Sequence, residues 1–437
     1  MDLATKLREC GVVGAGGAGF PAYVKASARV EFVIANGAEC EPLIHKDVEL
    51  MKHFPAEIVS GMELMRKATG AARAHFGIKK KNADAVEAIR LHLDPETAGF
   101  VFLGDFYPSG DEYELVYEAT GRLIPPAGIP LQVGCVVNNV ETLYNIHRAA
   151  QGVPVTRKFV SVAGAVREPK AFWVPVGTAF RDLIALAGGA TAQRVGLFVN
   201  GIMMGTLTFD LDNVVTRTTA GLIVLPEEHY LIARKNRPIE AMNHIGKSAC
   251  DQCSYCTEFC PRYLLGYDVQ PHKVMRSLGF TATGAQIWNQ WAELCCGCGL
   301  CTLYACPEDL FPKEACDQAK AHLRAVGIRF EQGRPPVVHP MKEYRRVPLP
   351  LLRKRLKVDE YESETPYQAI EHRPSRVRLK WRQHAGRPAR PVVREGDRVE
   401  EGAVVGRVDP PDLGVPVHAS ISGTIVRLTD DYVEIQA

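Results

Sequence analysis

The chain has 437 residues, more than one hydrophobic core usually supports, so several domains are expected. Hydrophobic residues make up 46% and charged residues 23%, as in an ordinary globular protein, and the net charge of +2 argues against a dedicated nucleic-acid binder, which would carry a strongly basic face. No run of about 18 apolar residues occurs, so no transmembrane helix is predicted, and nothing at the N-terminus looks like a signal peptide.

Residues 1–155 alternate short apolar runs with helical patterns. The strand candidates are residues 30–35, which end at the polar turn Asn36-Gly37, and residues 99–103. The helix candidates are residues 57–67 and 82–93. Strands that alternate with helices predict an α/β layer structure for this part of the chain.

Residues 156–238 have a different texture, with four short apolar runs and a single helical pattern. The strand candidates are residues 159–162, 171–174, 196–199 and 221–225. The helix candidate is Thr178–Ala187, which is closed by Gly188-Gly189. This pattern predicts a small one-helix α+β domain.

Two groups of four cysteines stand in residues 239–330. The first group, with spacing C-x2-C-x2-C-x3-C-P, is Cys250, Cys253, Cys256 and Cys260. The second group, with spacing C-x2-C-x2-C-x4-C-P, is Cys295, Cys298, Cys301 and Cys306. Three thiolates on one short loop can converge on a cubic iron–sulfur cluster, and the cysteine before proline ligates the other cluster in two-cluster ferredoxins. We therefore expect one [4Fe–4S] cluster on Cys250, Cys253, Cys256 and Cys306, and a second on Cys295, Cys298, Cys301 and Cys260.

Structural zinc and disulfides are the alternative uses of these cysteines. Zinc sites usually offer two C-x2-C pairs or cysteine with histidine, and disulfides suit a secreted chain, so both fit this spacing less well. Cys296 lies beside Cys295 and could replace it as a ligand. Helical periodicity at His272–Leu278 and Gln286–Leu294 predicts a mainly α domain around the clusters.

The last two parts of the chain differ in composition. Residues 331–375 are rich in proline and in basic residues, followed by acidic ones, which predicts a solvated linker over the surface, with a docking segment for an acidic partner as the alternative. Residues 376–437 contain short valine-rich runs separated by glycine turns, which predicts a small β-barrel or sandwich.

Residues 14–19, Gly-Ala-Gly-Gly-Ala-Gly, match the dinucleotide-binding pattern G-x-G-x-x-G. The context is poor for a Rossmann fold, because only Val12-Val13 precede the loop and the segment that follows is short and irregular. Small residues in this number instead predict a close approach of the backbone to a ligand. Bare N–H groups form an anion-binding cradle, to which Lys25 can add charge.

Three motifs resemble the flavin-binding domain of the NADH-oxidising subunit of complex I. They are residues 14–21 (GAGGAGFP), residues 36–42 (NGAECEP) and residues 138–142 (NNVET). The whole order of parts is similar to the C subunit of Rnf-type complexes, and more similar still to the cobalamin reductase family of propanediol-utilisation microcompartments. In that comparison, residues 156–238 resemble an SLBB β-grasp domain, residues 239–330 a helical two-cluster ferredoxin domain, residues 331–375 a linker, and residues 376–437 a barrel-sandwich hybrid domain. That last domain stands first in Rnf subunits and last here.

The resemblance implies which residues bind cofactors. FMN is expected across Gly14, Gly16, Gly17, Lys25, Asn36, Glu39, Gly110, Asn138, Asn139 and Thr142. The nicotinamide dinucleotide is expected to stack near Phe20 and to approach Glu41, Tyr107 and Glu112. Ala15 and Ala38 replace an arginine and an aspartate of the complex I motif, which puts the polar contacts of the flavin in doubt.

The parts together imply an electron-transfer enzyme. A flavin accepts two electrons as hydride from NADH and releases them singly to iron–sulfur clusters. No acid–base pair is required, so no catalytic residue is nominated. The resemblance implies a corrinoid or an adenosyltransferase as the electron acceptor, a shell protein as a further partner, and a cytoplasmic site within or attached to a bacterial microcompartment. The alternatives are an Rnf-like electron-entry subunit of a membrane-associated complex, and a scaffold protein in which the flavin fold is vestigial.

Overall fold

The computed structural model describes residues 1–279 and 290–437. The first part of the chain is built on a parallel sheet of four strands in the order β3-β2-β1-β5. The strands are β1 (Phe32–Gly37), β2 (Arg73–Lys79), β3 (Ala98–Leu103), a short β4 (Phe106–Tyr107) outside this sheet, and β5 (Cys135–Asn139). Parallel pairing brings the carboxyl ends of β1 and β5 to one edge, with Asn36 level with Asn139. This edge is where an open α/β sheet usually binds its ligand.

Seven helices cover this sheet. They are α1 (Leu3–Glu9), α2 (Ala22–Ala26), α3 (Lys46–His53), α4 (Pro55–Thr69), α5 (Ala83–Arg90), α6 (Glu112–Thr120) and α7 (Val140–Ala150). Asp111 and Asn139 cap α6 and α7, since each side chain accepts a hydrogen bond from the first turn. The predicted α/β arrangement of this part is therefore present.

The second sheet has the order β7-β6-β10-β8-β9, and only its β6–β10 pair is parallel. Its strands are β6 (Arg157–Gly164), β7 (Lys170–Pro175), β8 (Val195–Val199), β9 (Thr206–Thr208) and β10 (Gly221–Pro226). The predicted helix is present as α8 (Phe180–Leu186), and Phe180 and Leu183 are buried against the sheet with Val160 and Phe172.

The described residues of the cysteine-rich part form helices and turns without a strand. The helices are α9 (Tyr230–Lys235), α10 (Ile239–Ala249), α11 (Tyr255–Glu258), α12 (Pro261–Leu264), α13 (Pro271–Ser277) and α14 (Pro312–Ala325). The predicted helix at His272–Leu278 corresponds to α13. Of the predicted helix Gln286–Leu294, residues 286–289 lie outside the described residues, and Gln290–Ala292 form a 3-10 turn.

Residues 339–358 are packed against the protein, so the prediction of a solvated linker is wrong for this stretch. β11 (Val347–Pro348) pairs with β4, and α15 (Leu349–Arg355) follows it. Five apolar side chains of this stretch are buried, namely Val347, Leu349, Leu352, Leu356 and Val358. The basic residues neutralise acidic ones on α6, since Lys342 Nζ lies 2.6 Å from Glu114 and 2.7 Å from Glu118. The charged residues of this stretch that pair with acidic side chains of the protein are Lys342, Arg345, Arg346, Arg353 and Arg355.

The C-terminal part consists of two small antiparallel sheets. The strands are β12 (Arg376–Lys380), β13 (Arg390–Pro391), β14 (Arg398–Val399), β15 (Val404–Arg407), β16 (Val417–His418), β17 (Gly423–Leu428) and β18 (Tyr432–Gln436). The sheet orders are β12-β18-β17-β14 and β13-β15-β16. Leu379, Val405 and Ile435 are fully buried between the two sheets. None of the described helices is long and apolar enough to cross a membrane.

Candidate cofactor sites

A cavity of about 340 Å³ opens at the carboxyl ends of β1 and β5. Of the fourteen predicted cofactor residues, only Gly17 is absent from its wall. The other thirteen are Gly14, Gly16, Phe20, Lys25, Asn36, Glu39, Glu41, Tyr107, Gly110, Glu112, Asn138, Asn139 and Thr142. Parallel register explains this convergence, because Asn36 lies in the last two residues of β1 and Asn138 and Asn139 are the last two of its neighbour β5.

The glycine loop forms one wall of this cavity, and backbone hydrogen bonds hold its conformation. Gly14 N–H donates to the carbonyl of Phe20 at 2.9 Å, and Ala15 N–H donates to Thr142 Oγ1 at 2.9 Å. A Cβ on Gly16 would lie 3.3 Å from the Cβ of Asn139, so a side chain there would crowd the cavity wall. Only an isolated bridge, Val13 to Pro21, takes the place of the strand that a Rossmann fold requires, and α2 has five residues. The Rossmann alternative is therefore wrong.

Asn138 supplies unused hydrogen-bonding capacity to the cavity. Its side chain is 2% exposed, and neither its Nδ2 nor its Oδ1 has a hydrogen-bond partner among the described residues. The neighbouring amides are occupied, since Asn36 Nδ2 donates to the Gly110 carbonyl at 2.9 Å and Asn139 Nδ2 donates to Asp47 at 2.7 Å. A buried unpaired amide is costly unless a ligand satisfies it. The edge of a flavin ring, with its N–H and carbonyl groups, offers the complementary donors and acceptors.

Lys25 brings a cation to the same wall. Its Nζ donates to the Val137 carbonyl at 2.6 Å and lies 5.9 Å from the centre of the Phe20 ring. Burial lowers the pKa of Lys25, while the Glu112 carboxylate opposes that shift. A half-buried lysine beside the glycine loop suits a phosphate, whose negative charge it would bind. Contact of Lys25 and the glycine loop with the FMN phosphate, and of Asn138 with its ring, stays a prediction.

A buried network of charges lies beneath the cavity. Lys46 Nζ lies 2.9 Å from Glu141 Oε2 and also binds Asp47, while Lys158 from β6 binds the same Glu141 carboxylate. Asp47 N–H donates to Glu39 Oε2 at 3.0 Å. Burial and the nearby Asp47 carboxylate raise the pKa of Glu39 to about 8. Lys46, Asp47 and Lys158 were not predicted from the sequence, although Lys46-Asp47 follow the NGAECEP motif within five residues.

Two of the residues expected to approach the nicotinamide bind other parts of the protein. Glu41 accepts hydrogen bonds from the backbone N–H of Met204 at 2.8 Å and of Met203 at 3.1 Å. Tyr107 is 1% exposed and its hydroxyl donates to the Cys298 carbonyl at 2.7 Å. Burial raises the pKa of Glu41 to about 7, against the effect of those N–H groups. Contact of either side chain with NADH stays a prediction.

The four cysteines expected to bind one cluster, called the first cysteine set from here on, surround one small cavity. Cys250, Cys253, Cys256 and Cys306 line it together with His272. Gln252 and Ser254 adopt the left-handed conformation, with φ of 63° and 64°, which folds the C-x2-C-x2-C segment into a tight loop. Gln252 Nε2 and Leu310 N–H donate to the sulfurs of Cys250 and Cys306, a kind of contact that tunes cluster potentials.

The four cysteines expected to bind the other cluster lie between two cavities. This second cysteine set consists of Cys260, Cys295, Cys298 and Cys301. Cys298 lines the cavity of about 340 Å³ at the ends of β1 and β5, which we call the flavin-sized cavity. Cys295 and Cys296 line a larger cavity on the other side of the same loop. Cys260 and Cys301 are buried. All thirteen cysteines are free, so the disulfide alternative has no support. Among residues 1–279 and 290–437 no three metal-binding side chains are close enough to share a single ion. Iron ligation by either set, and the choice between Cys295 and Cys296, stay predictions.

Four segments of the chain match known protein families. Residues 7–148 match the Nuo51 FMN-binding domain, residues 159–207 the SLBB domain, residues 249–311 a 4Fe-4S dicluster domain, and residues 354–437 the RnfC barrel sandwich hybrid domain. These matches confirm the predicted fold class. They also confirm FMN and [4Fe–4S] clusters as cofactors.

Two relatives match almost end to end. The chain is 40% identical over 437 residues to the cobalamin reductase PduS of Salmonella typhimurium, covering 99% of this chain and 96% of that protein. It is 38% identical over 444 residues to cobalamin reductase PduS of Citrobacter freundii, covering 100% and 96%. The C subunit of the proton-translocating ferredoxin:NAD(+) oxidoreductase complex of Clostridium ljungdahlii is 33% identical over 264 residues, 59% of this chain and 55% of that protein.

Proposed function

The chain belongs to the family of the cobalamin reductases PduS, and from that membership we propose that it oxidises NADH and passes single electrons through FMN and two [4Fe–4S] clusters to a corrinoid. Bound FMN supplies the change from two-electron to one-electron transfer. The observation that carries the proposal is the position of Cys298, which lies on the wall of the flavin-sized cavity. A cluster ligated there would be the neighbour of the flavin.

The residues of the cavity hold and orient the flavin in this proposal. Asn138 binds the ring edge with its unpaired amide, and Lys25 with the glycine loop neutralises the phosphate. Tyr107 ties the cavity wall to the cysteine loop through the Cys298 carbonyl. Because these contacts are made by buried groups, the flavin and the cluster would keep a fixed separation.

The positions of the two cysteine sets favour an order in which the clusters would receive electrons. The set with Cys298 adjoins the flavin, while Cys253 of the other set is exposed, as are its neighbours Asp251 and Gln252. In the proposed order Cys260, Cys295, Cys298 and Cys301 would hold the cluster that lies beside the flavin-sized cavity and would receive electrons first. A cluster on Cys250, Cys253, Cys256 and Cys306 would exchange electrons with that one, so that the two electrons of NADH could be held one on each cluster.

An Rnf-like electron-entry subunit is the second candidate function. It is favoured by the partial match to the Clostridium ljungdahlii protein and by the barrel sandwich hybrid domain. That match covers 59% of this chain, whereas the PduS match covers 99%, and the barrel sandwich hybrid domain here stands at the C-terminal end. The reductase therefore fits better. Attachment to a microcompartment shell, and an adenosyltransferase that receives the reduced corrinoid, are proposed from family membership alone.

The test is a two-stage absorbance experiment on oxygen-free protein with flavin and clusters loaded. NADH should bleach the flavin and cluster bands, and added aquocobalamin should restore them while its own spectrum changes to that of cob(II)alamin. If NADH bleaches the protein and aquocobalamin does not reoxidise it, the acceptor is wrong and the electron path stands. If reoxidation requires added membranes, the Rnf-like function is correct instead.

A further inference from the structure

A large cavity lies beside the second cysteine set, on the other side of the loop from the flavin-sized cavity. Its volume is about 1110 Å³, against about 340 Å³ for the flavin-sized cavity. Cys295 and Cys296 form one wall, the domain that carries the flavin cavity contributes Tyr113, and the segment after α14 contributes Phe330. Ligand pockets usually measure about 300–1000 Å³, so this one can take a molecule larger than a nicotinamide or a flavin.

The wall of this cavity is basic. Arg262, Lys320, Arg324 and Arg329 line it, against the acidic Glu293 and Glu331. Arg324 and Arg329 are exposed, and neither forms an ion pair with any described residue. Two free guanidinium groups at the rim of a deep cavity favour a ligand with an anionic group, which they would bind by charge-assisted hydrogen bonds.

Buried polar groups inside the cavity also lack partners. Arg262 is 7% exposed, and its Nη2 donates to Asp111 at 2.9 Å while its guanidinium lies 3.4 Å from the centre of the Tyr113 ring. Its Nη1 has no hydrogen-bond acceptor among the described residues, and Glu293 Oε2 has no donor. A donor and an acceptor left open in the wall suit a ligand that carries amide groups, because an amide offers both.

From these features we infer that this cavity is the corrinoid site, where the acceptor receives electrons directly from the cluster on the Cys295 loop. A corrinoid is a large flat ring whose rim carries amide side chains and whose nucleotide loop carries one phosphodiester. The amides match Arg262 and Glu293, the phosphodiester matches Arg324 and Arg329, and the aromatic walls Tyr113 and Phe330 match the flat surfaces. This inference rests on the proposed function and adds the place where the acceptor binds.

The electron balance of the step is complete. NADH gives NAD+, one proton and two electrons, and each electron reduces one cobalt from Co(III) to Co(II) with loss of its bound water. Two corrinoids are therefore reduced for each NADH. The cluster beside the cavity would pass these electrons one at a time, which matches the one-electron change at cobalt.

The variant Arg324→Glu/Arg329→Glu tests the assignment, with Arg390→Glu/Arg394→Glu, two exposed arginines of the C-terminal part, as the matched control. Equilibrium binding of aquocobalamin to the oxidised, fully loaded protein is measured, together with NADH-dependent reduction of ferricyanide. The Kd of the Arg324/Arg329 variant for aquocobalamin should rise at least tenfold. Ferricyanide reduction, flavin content and iron content should match wild type, and the control should keep the wild-type Kd.

An unchanged Kd in the Arg324/Arg329 variant would overturn the assignment of the cavity, while reduction of aquocobalamin by the wild type would leave the proposed function standing. An equal rise in the control variant would also overturn it, because the effect would then come from net charge. If the wild type neither binds nor reduces aquocobalamin, the proposed function fails and the corrinoid site fails with it.

Discussion

At the scale of single residues, the flavin-sized cavity contains two polar side chains in unfavourable surroundings: an amide without a hydrogen-bond partner and a buried carboxylate close to another carboxylate. Asn138 has an unpaired amide, and Glu39 is a third carboxylate in a buried network that holds two lysines, Lys46 and Lys158. Unpaired and like-charged buried groups destabilise a fold, so they persist where a ligand compensates for them. Both residues can be tested by substitutions that keep their shape.

Asn138→Leu removes the unpaired amide with little change in volume. Without flavin, the variant should be as stable as wild type or more stable, since an unsatisfied buried polar group is replaced by an apolar one. With flavin, its affinity for FMN should fall by about tenfold, the equivalent of about 1.4 kcal/mol. Fluorescence titration of FMN and thermal unfolding of the flavin-free protein measure the two effects. Equal FMN affinity in both proteins would contradict the role of Asn138.

Glu39→Gln tests the buried carboxylate through pH. Because the folded pKa of about 8 lies above the ordinary value of 4.5, the folded state binds more protons than the unfolded state between those pH values. Stability therefore falls as the pH rises from about 5 to 8, and the substitution should remove that part of the fall. Over the two pH units from 6 to 8 the effect is on the order of 3 kcal/mol, since one pKa unit corresponds to about 1.4 kcal/mol.

The measurement is the midpoint of the first thermal transition of oxygen-free protein between pH 6 and 8.5. Wild type should lose more Tm over that range than Glu39→Gln, by about 6 °C. Parallel pH profiles for the two proteins would show that Glu39 is ionised throughout, and would contradict the raised pKa.

At the scale of elements, the position of α7 determines the cavity, because α7 begins directly after Asn138 and Asn139 and carries Thr142. Its packing partner is α4, and the two helices touch at Gly61. A Cβ on Gly61 would lie 1.9 Å from the carbonyl oxygen of Leu143, so the helices pack with backbone against backbone there. Only glycine allows this approach.

Gly61→Ala should force α4 and α7 apart. The expected cost is about 3 kcal/mol of unfolding free energy, with weaker FMN binding because Thr142 moves with α7. Gly99→Ala on the edge strand β3 is the matched control, since no atom lies within 4 Å of its new Cβ, and its change should stay within about 0.5 kcal/mol. Denaturant unfolding and FMN titration of both variants are the measurements. Equal stability of the two variants would contradict the close helix contact.

The elements that the sequence predicted well are those with a strong local pattern. The strand ending at Asn36-Gly37 and the helix on Glu57–Lys67 show uninterrupted periodicity, and both are present as β1 and α4. The stretch 339–358 was mispredicted because its buried positions, such as Leu349 and Leu352, stand among arginines and prolines. Those charges meet Glu114 and Glu118 of α6, more than 200 residues away in the chain, and such long-range pairing has no local signal.

At the scale of the whole molecule, the cofactor sites are joined by contacts between distant parts of the chain. The barrel sandwich hybrid part covers the glycine loop, since Ala385 N–H donates to the Gly19 carbonyl at 3.0 Å. Arg217 binds the carbonyls of Gly11 at 2.8 Å and Pro416 at 2.6 Å, and so joins three parts of the chain. The motifs predicted which residues gather at the cavity. They could not predict the buried lysine from β6, or the cavity beyond Cys295, because both depend on how the domains dock.

The crossed assignment of cysteines can be tested by pairs of variants. Cys306→Ser and Cys253→Ser should abolish the same cluster signal, because both residues line one small cavity, whereas Cys260→Ser should abolish the other signal. Flavin content should be retained in all three. Cys10→Ala, a buried cysteine outside both sets, is the control and should keep both signals. Loss of the same signal in Cys253→Ser and Cys260→Ser would contradict the crossed ligation.

Low-temperature EPR of oxygen-free protein, before and after NADH is added, tests the central claim most directly. It shows whether two [4Fe–4S] clusters are present and are reduced by NADH. The protein should contain about eight irons and one FMN per chain. It should show no EPR signal of a reduced [4Fe–4S] cluster before NADH is added, and signals from two distinct [4Fe–4S] clusters afterwards. Subsequent aquocobalamin should remove those signals as that of cob(II)alamin grows. Protein that carries its full flavin but yields no cubane signal with NADH or with a stronger reductant would contradict the account.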